Sequence, residues 1–93
     1  MWVRIDEITF AAECADEVVD HVRNTAVTKH DGEGFRGFRL LVDASNGHAL
    51  DVSYWDSNAC ALAGAADPAT DPTGAASTTV VRSNIYEMRI DAV

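Results

Sequence analysis

An aspartate and a tryptophan are the residues of this sequence best suited to chemistry on a small molecule. Asp6 lies within the mixed apolar run that opens the chain, and Trp55 ends the run that follows Asn46-Gly47. A carboxylate in an apolar pocket can accept a proton or a hydrogen bond, and an indole ring can stack on a flat substrate. The alternative is structural, with Trp55 filling the core and Asp6 pairing with an arginine. The candidates for that pairing are Arg4, Arg39 and Arg82.

Two further residues are predicted to line the same site. Ser53 shares a strand face with Trp55, because side chains alternate between the two faces of a strand. Arg39, on the preceding predicted strand, would line the site or neutralise a charge there. With Arg36 and Arg82 it could bind an anionic substrate, although these arginines could instead neutralise nearby acids or cross a subunit interface.

The histidines and cysteines do not form a metal-binding pattern. His21 follows Glu17 by one helical turn, but no second histidine is near it in sequence, and the patterns HExxH and CxxC are absent. Cys14 and Cys60 are isolated, which favours small buried thiols over a disulfide framework. We therefore expect neither a metal nor a cofactor.

The apolar pattern predicts four strands and two helices in the order βαββαβ. Val18, Val19 and Val22 recur at helical spacing, and Asn46-Gly47 is typical of a tight hairpin turn. The predicted strands are residues 2–10, 35–43, 48–55 and 78–92, and the predicted helices are residues 12–28 and a segment between residue 58 and Pro68. Residues 66–77, with two Asp-Pro pairs, are predicted to form a loop that an enzyme could use as a lid.

This element order is the ferredoxin-like pattern of the α+β class. Right-handed crossovers would place both helices on one face of a four-stranded antiparallel sheet. The predicted strands carry apolar residues on both faces, so the second face also needs a cover. We expect a second copy of the chain to provide it, which would form a dimeric α+β barrel.

Length and charge limit the classes of protein to consider. The 93 residues suffice for one domain, spanning residues 1–93. Fifteen acidic against seven basic residues give a net charge of -8, which argues against binding nucleic acid or anionic membranes. No run approaches the ~20 apolar residues of a membrane span. The acidic residues near the N-terminus do not fit a signal peptide, so a cytoplasmic location is predicted.

Two motifs give the chain a family resemblance. Gly34-Phe35-Arg36-Gly37-Phe38 with Leu40-Leu41, and Tyr54-Trp55-Asp56-Ser57 before a helix that contains Ala59, resemble the antibiotic biosynthesis monooxygenase (dimeric α+β barrel) superfamily. That superfamily includes quinone-forming monooxygenases that act on polyketides without metal or flavin, haem-degrading enzymes and many proteins of unknown role. The resemblance implies that Asp6 and Trp55 face the space between the sheet and the helices.

The haem-degrading branch is matched only in part. Asp6 stands where that branch usually has asparagine, and Trp55 matches its tryptophan, but the haem-ligating histidine of the second helix has no counterpart after His48. The predicted function is therefore a cofactor-independent monooxygenase or related pocket protein for a small aromatic substrate. Trp55 would pack on the substrate, and Asp6 would be the base or hydrogen-bond acceptor. The alternative is a non-catalytic ligand-binding or dimerisation module.

Overall fold

In the part of the chain that the structure describes, four strands and two α-helices follow one another in the predicted order. The structure is a computed structural model that describes residues 1–29, 34–66 and 77–92. The strands are β1 (Trp2–Thr9), β2 (Phe35–Asp43), β3 (His48–Trp55) and β4 (Thr79–Glu87), and the helices are α1 (Ala15–Lys29) and α2 (Asn58–Ala66). A 3-10 turn, Ala12–Cys14, leads into α1. Ser57 caps α2 by accepting a hydrogen bond from the backbone N–H of Cys60 at 3.1 Å.

The sheet has the order β2-β3-β1-β4, and each neighbouring pair is antiparallel. Its core side is formed by Ile8, Phe10 and Ala49, which pack against Val18 and Val22 of α1. The second helix lies over the same side, since Gly64 of α2 approaches the indole of Trp55. The predicted ferredoxin-like α+β fold is therefore confirmed, with both helices on one face of the sheet.

The strand register aligns residues of neighbouring strands in rows that run across the sheet. On β1 and β3, Arg4 lies opposite Ser53 and Asp6 lies opposite Asp51. Because directly opposed residues of antiparallel strands share a face, these rows extend to β2 on the side that the helices cover.

The β2–β3 connection differs from the predicted two-residue hairpin turn. Ala44–Asn46 forms a 3-10 turn, and only Gly47 takes the left-handed conformation, with φ 61° and ψ 44°. A Cβ at Gly47 would lie 2.1 Å from the carbonyl oxygen of Phe10. Both the backbone conformation and the close approach to Phe10 therefore require glycine at this position. The side chains of Asn46 and Ser45 each donate a hydrogen bond to Asp43, and these bonds, that from Asn46 first, lower the pKa of the Asp43 carboxyl.

The last strand is shorter than predicted and changes phase. It ends at Glu87, whereas the prediction continued to residue 92. A register shift opposite Glu7 and Ile8 pairs Val80 with Ile8 and Tyr86 with Val3. Ile8 and Val3 lie on opposite faces of β1, so Val80 and Tyr86 also lie on opposite faces of the sheet, whereas strict alternation along an unbroken strand would place them on the same face. A bulge adds one residue to a strand and therefore inverts the alternation beyond it.

Parts of the sequence prediction concern residues outside this description. The predicted loop at 66–77 lies largely there, as do His30 and residues 31–33. Among the helices of the described ranges, none combines the length and the apolar character that a membrane span requires.

Candidate functional site

A row of buried polar side chains lies between the sheet and the helices. Arg4 and Asp6 extend from β1, and Asp51 and Ser53 extend from the neighbouring β3. Burial of charged groups is unfavourable unless they are paired, so such a row in a 93-residue protein needs a structural or a functional reason.

Asp6 is held at both carboxylate oxygens. The guanidinium of Arg4 lies 2.9 Å from Oδ2 through Nη2, and its Nε donates a hydrogen bond to Oδ1 at 3.2 Å. The hydroxyl of Ser83, on β4, also donates to Oδ1, at 2.5 Å. Of the pairings considered from the sequence, the one with Arg4 is therefore formed, and Asp6 is an oriented hydrogen-bond acceptor.

Asp51 is a second buried carboxylate that the sequence analysis missed as a site residue. Its side chain faces the helices, and the residue is only 2% exposed. Asp6 lies opposite Asp51 on one neighbouring strand, and Leu40 lies opposite it on the other. The sequence already indicated that Asp51 belongs to the site. Asp51, Ser53 and Trp55 are spaced two residues apart and therefore share one face of the strand.

Trp55 is packed into the structure and is 3% exposed. Its indole Nε1 donates a hydrogen bond to the hydroxyl of Ser53 at 2.9 Å, and Phe35 meets the ring edge-on at 5.3 Å between centroids. Helix α2 passes so close that a Cβ at Gly64 would lie 2.3 Å from the ring atom Cη2. Ser53 therefore links the indole to the polar row.

An apolar groove opens between α1 and β2, beside this row. Its volume is about 250 Å³. It is lined by Val19, Val22, Arg23, Phe38, Leu40 and Val42. Phe38 lies opposite Ser53, and Leu40 lies opposite Asp51, so the groove and the polar row occupy the same face of adjacent strands. Asp51, on the strand next to β2, is one strand nearer the groove than Asp6.

Arg39 lies apart from the other predicted site residues. It is opposite Val52 in register, which places it on the sheet face away from the helices. Its Nη1 donates a hydrogen bond to the hydroxyl of Tyr54 at 2.8 Å, and the guanidinium stands over that ring at 5.3 Å. Of the predicted residues, Asp6, Ser53 and Trp55 thus lie on the sheet face that the helices cover, whereas Arg39 lies on the other face.

A second cavity, of about 460 Å³, lies at the end of the sheet where β2 is bulged. Its lining includes Arg36, Arg39 and Tyr54. Arg36 is held by Asp56, with Nε and Nη2 each 2.6 Å from a carboxylate oxygen. The hydrogen bond from the guanidinium lowers the pKa of Asp56 and raises that of Arg36.

Comparison with known proteins gives a match in structure and none in sequence. No family model matches the chain, and no curated protein matches it in sequence. Among solved structures, the haem-degrading protein MhuD of Mycobacterium tuberculosis, described with two haems in its active site, is similar with a TM-score of 0.78 and 24% identity over 100% of both chains.

Two further structures have the same architecture. A proposed antibiotic biosynthesis monooxygenase from Deinococcus radiodurans matches with a TM-score of 0.76 and 21% identity, over 100% of this chain and 96% of that one. The cofactor-independent oxygenase SnoaB of Streptomyces nogalater matches with a TM-score of 0.76 and 17% identity, over 97% of this chain and 94% of that one. The chain has the fold of the antibiotic biosynthesis monooxygenases. The resemblance seen in the sequence is therefore confirmed for the fold.

Within the antibiotic biosynthesis monooxygenase fold, the residues of this chain do not fit ligation of a haem from α2. The sequence of that helix, NACALAGAA, contains no histidine. Across residues 1–29, 34–66 and 77–92, no three side chains of histidine, cysteine, aspartate or glutamate group together as metal ligands would.

Proposed function

We propose that this protein is a cofactor-independent oxygenase that acts on a small, flat aromatic substrate in the groove between α1 and β2. The observation that carries the proposal is the position of the groove, which lies in the same rows as two buried carboxylates. An apolar cleft with a few polar groups beside it is the usual form of a small-molecule site. The similar fold of SnoaB, a cofactor-independent oxygenase, supports the reaction class.

The proposed reaction needs no redox group from the protein. A phenol with a free para C–H bond reacts with O2 to give a para-quinone and one molecule of water. A base removes the phenol proton, the ring carbon transfers electrons to O2 and bonds to one of its atoms, and the other oxygen leaves as water with the hydrogens that the substrate loses. The substrate loses four electrons, and O2 gains the same four.

The chain contributes a proton acceptor and the apolar surface of the groove. We assign the base to Asp51, because it lies next to the groove-lining residue Leu40 and one strand nearer the groove than Asp6. Asp6, held by Arg4 and Ser83, keeps the role of a fixed acceptor that orients the polar row.

Trp55 and Ser53 support the proposed site from within the core, because neither of them lines the groove. The indole is fixed by Ser53, by Phe35 and by α2, so it holds the Ser53 end of the polar row in place. We assign Arg39 no part in this groove, because it lies on the opposite face of the sheet.

We also propose that the protein is a cytoplasmic homodimer. The sheet face away from the helices exposes Leu41 and Tyr86, and covering such apolar surface is favourable for a chain of this size. The proposed location is supported by the free cysteines Cys14 and Cys60, which suit a reducing compartment.

The test is oxygen uptake by the purified protein with naphthols and anthrones, without added metal or flavin. We expect a quinone product that carries one oxygen atom from ¹⁸O2. Asp51→Asn should lower kcat by about 100-fold or more, as expected for loss of a general base. Asp16→Asn, a change of the same kind on the exposed surface of α1, is the control.

A bulky side chain in the groove provides a second test. Val42→Trp should fill the groove from its exposed rim and abolish both binding and oxygen uptake. If the parent protein binds aromatic compounds but consumes no oxygen with any of them, the non-catalytic ligand-binding module is the correct interpretation.

A further inference from the structure

We infer that the groove between α1 and β2 selects an aromatic substrate that carries an anionic substituent, such as a carboxylate, and that Arg23 is the residue that pairs with it. This inference rests on the proposed function, because it names the substrate class of that same groove.

Among the side chains that the structure describes, the lining of the groove is apolar apart from one charged group. Val19, Val22, Phe38, Leu40 and Val42 offer only hydrocarbon surface, and Arg23 is the sixth lining residue. Of the described lining residues, the one charged group that a bound molecule would meet is therefore positive. A neutral hydrocarbon would leave that guanidinium without a role in recognition, whereas a carboxylate would form a charge-assisted hydrogen bond with it.

The groove also has a direction. Its inner part is closed by Val22, which is 1% exposed, and its outer part ends at Arg23, whose side chain is 70% exposed. An aromatic ring would lie against Val22 and Leu40, and a carboxylate on that ring would stay near the solvent at Arg23. This orientation presents the reacting ring to the row of the sheet that contains Asp51.

Arg23 is available for such a contact. It pairs with Asp20, one helical turn earlier, at 3.1 Å, and both side chains are exposed. Exposed ion pairs contribute little stability, so a bound carboxylate can replace Asp20 as the partner of the guanidinium. Asp20 also repels an approaching anion, and its removal should therefore favour binding.

The net charge of the protein increases the importance of this contact. A chain with a net charge of -8 repels anions at long range, so an anionic ligand needs a local cation at its site. A salt-dependent interaction confined to one end of the groove is the expected result.

The test compares 2-naphthoate with 2-naphthamide, which has nearly the same shape and no charge, in titrations of the 93-residue protein. The parent should bind 2-naphthoate more tightly than 2-naphthamide at low salt. Arg23→Gln should weaken 2-naphthoate binding by about threefold, the scale of an exposed ion pair, and leave 2-naphthamide unchanged. Asp20→Asn should strengthen 2-naphthoate binding only.

Matched changes elsewhere separate local from general charge effects. Arg89 pairs with Glu87 at 3.3 Å, is similarly exposed and does not line the groove. Arg89→Gln and Glu87→Gln change the net charge as Arg23→Gln and Asp20→Asn do, so they should leave the preference for 2-naphthoate intact. If Arg89→Gln weakens 2-naphthoate as much as Arg23→Gln does, the inference is overturned.

Val42→Trp distinguishes failure of this inference from failure of the proposed function. Loss of both probes in Val42→Trp, with equal affinity of the parent for the two, would overturn the role of Arg23 and keep the groove. Binding of neither probe by the parent, or unchanged binding in Val42→Trp, would overturn the groove as the substrate site and the inference with it.

Discussion

The guanidinium of Arg4 contacts both oxygens of the Asp6 carboxylate inside the protein, through Nη2 at 2.9 Å and Nε at 3.2 Å. Both side chains are buried, and the two residues lie on the same face of β1. A pair of this kind stabilises a fold only while both partners are present, because either charge alone would be buried without compensation.

Removing one partner of this pair should therefore destabilise the protein strongly. Arg4→Met is expected to lower the free energy of unfolding by about 3–5 kcal/mol, as measured by urea denaturation. The double variant Arg4→Met/Asp6→Leu should be more stable than Arg4→Met alone, since it removes both charges. Arg89→Met, at an exposed pair, should change stability by about 1 kcal/mol or less. Equal losses at the two arginines would contradict this account.

The close approach of the Trp55 indole to α2 is expected to require glycine at position 64. In an exposed helix, Gly→Ala would stabilise by about 1 kcal/mol. Here a Cβ would lie 2.3 Å from the ring, so Gly64→Ala should instead destabilise by about 1–3 kcal/mol. In a Trp55→Phe background, where the ring is smaller, the same change should be less unfavourable. Additive effects in thermal unfolding would show that the two residues do not interact.

The Arg36–Asp56 pair should contribute stability that depends on pH. The hydrogen bond from Arg36 lowers the pKa of Asp56 in the folded state. The contribution of the pair to stability is therefore complete above about pH 3.9, which equals the ordinary pKa of an aspartate. It is lost as the pH falls through the lowered pKa of the folded state. In an NMR titration of the carboxyl carbon, Arg36→Gln should return the Asp56 midpoint towards its ordinary value. An unchanged midpoint would rule out the pair in solution.

The proposed dimer can be tested on two equally exposed leucines. Leu41 is 54% exposed and lies opposite Leu50, on the sheet face away from the helices, whereas Leu62 is 56% exposed on α2. Light scattering should show a dimer for the parent at micromolar concentration. Leu41→Glu should shift it to a monomer and Leu62→Glu should not. A monomeric parent would refute the proposed barrel.

Local pattern was sufficient for much of the fold. Strands β2 and β3 have the predicted bounds, because each is a run that contains aromatic and β-branched residues and ends at clear turn residues. The face shared by Asp51, Ser53 and Trp55 also follows from alternation. The shape of the β2–β3 turn was not predictable in this way, since the contact of Gly47 with the Phe10 carbonyl joins residues that are distant in sequence.

The candidate site was only partly predictable for the same reason. Asp6, Ser53 and Trp55 were identified from their residue types, but the importance of Asp51 became apparent only when register placed it between Asp6 and Leu40. Arg39 was predicted at the site and lies on the other face, because bulge and register decide which way a side chain of β2 points.

By itself, the sequence determined the order of the elements and the faces of the regular strands, since both depend on periodicity and on propensities of neighbouring residues. Only the tertiary structure decided which arginine neutralises Asp6, where β4 changes phase, and which strand borders the groove. These features depend on strand register and on side-chain packing across the sheet, which join residues that no local pattern connects.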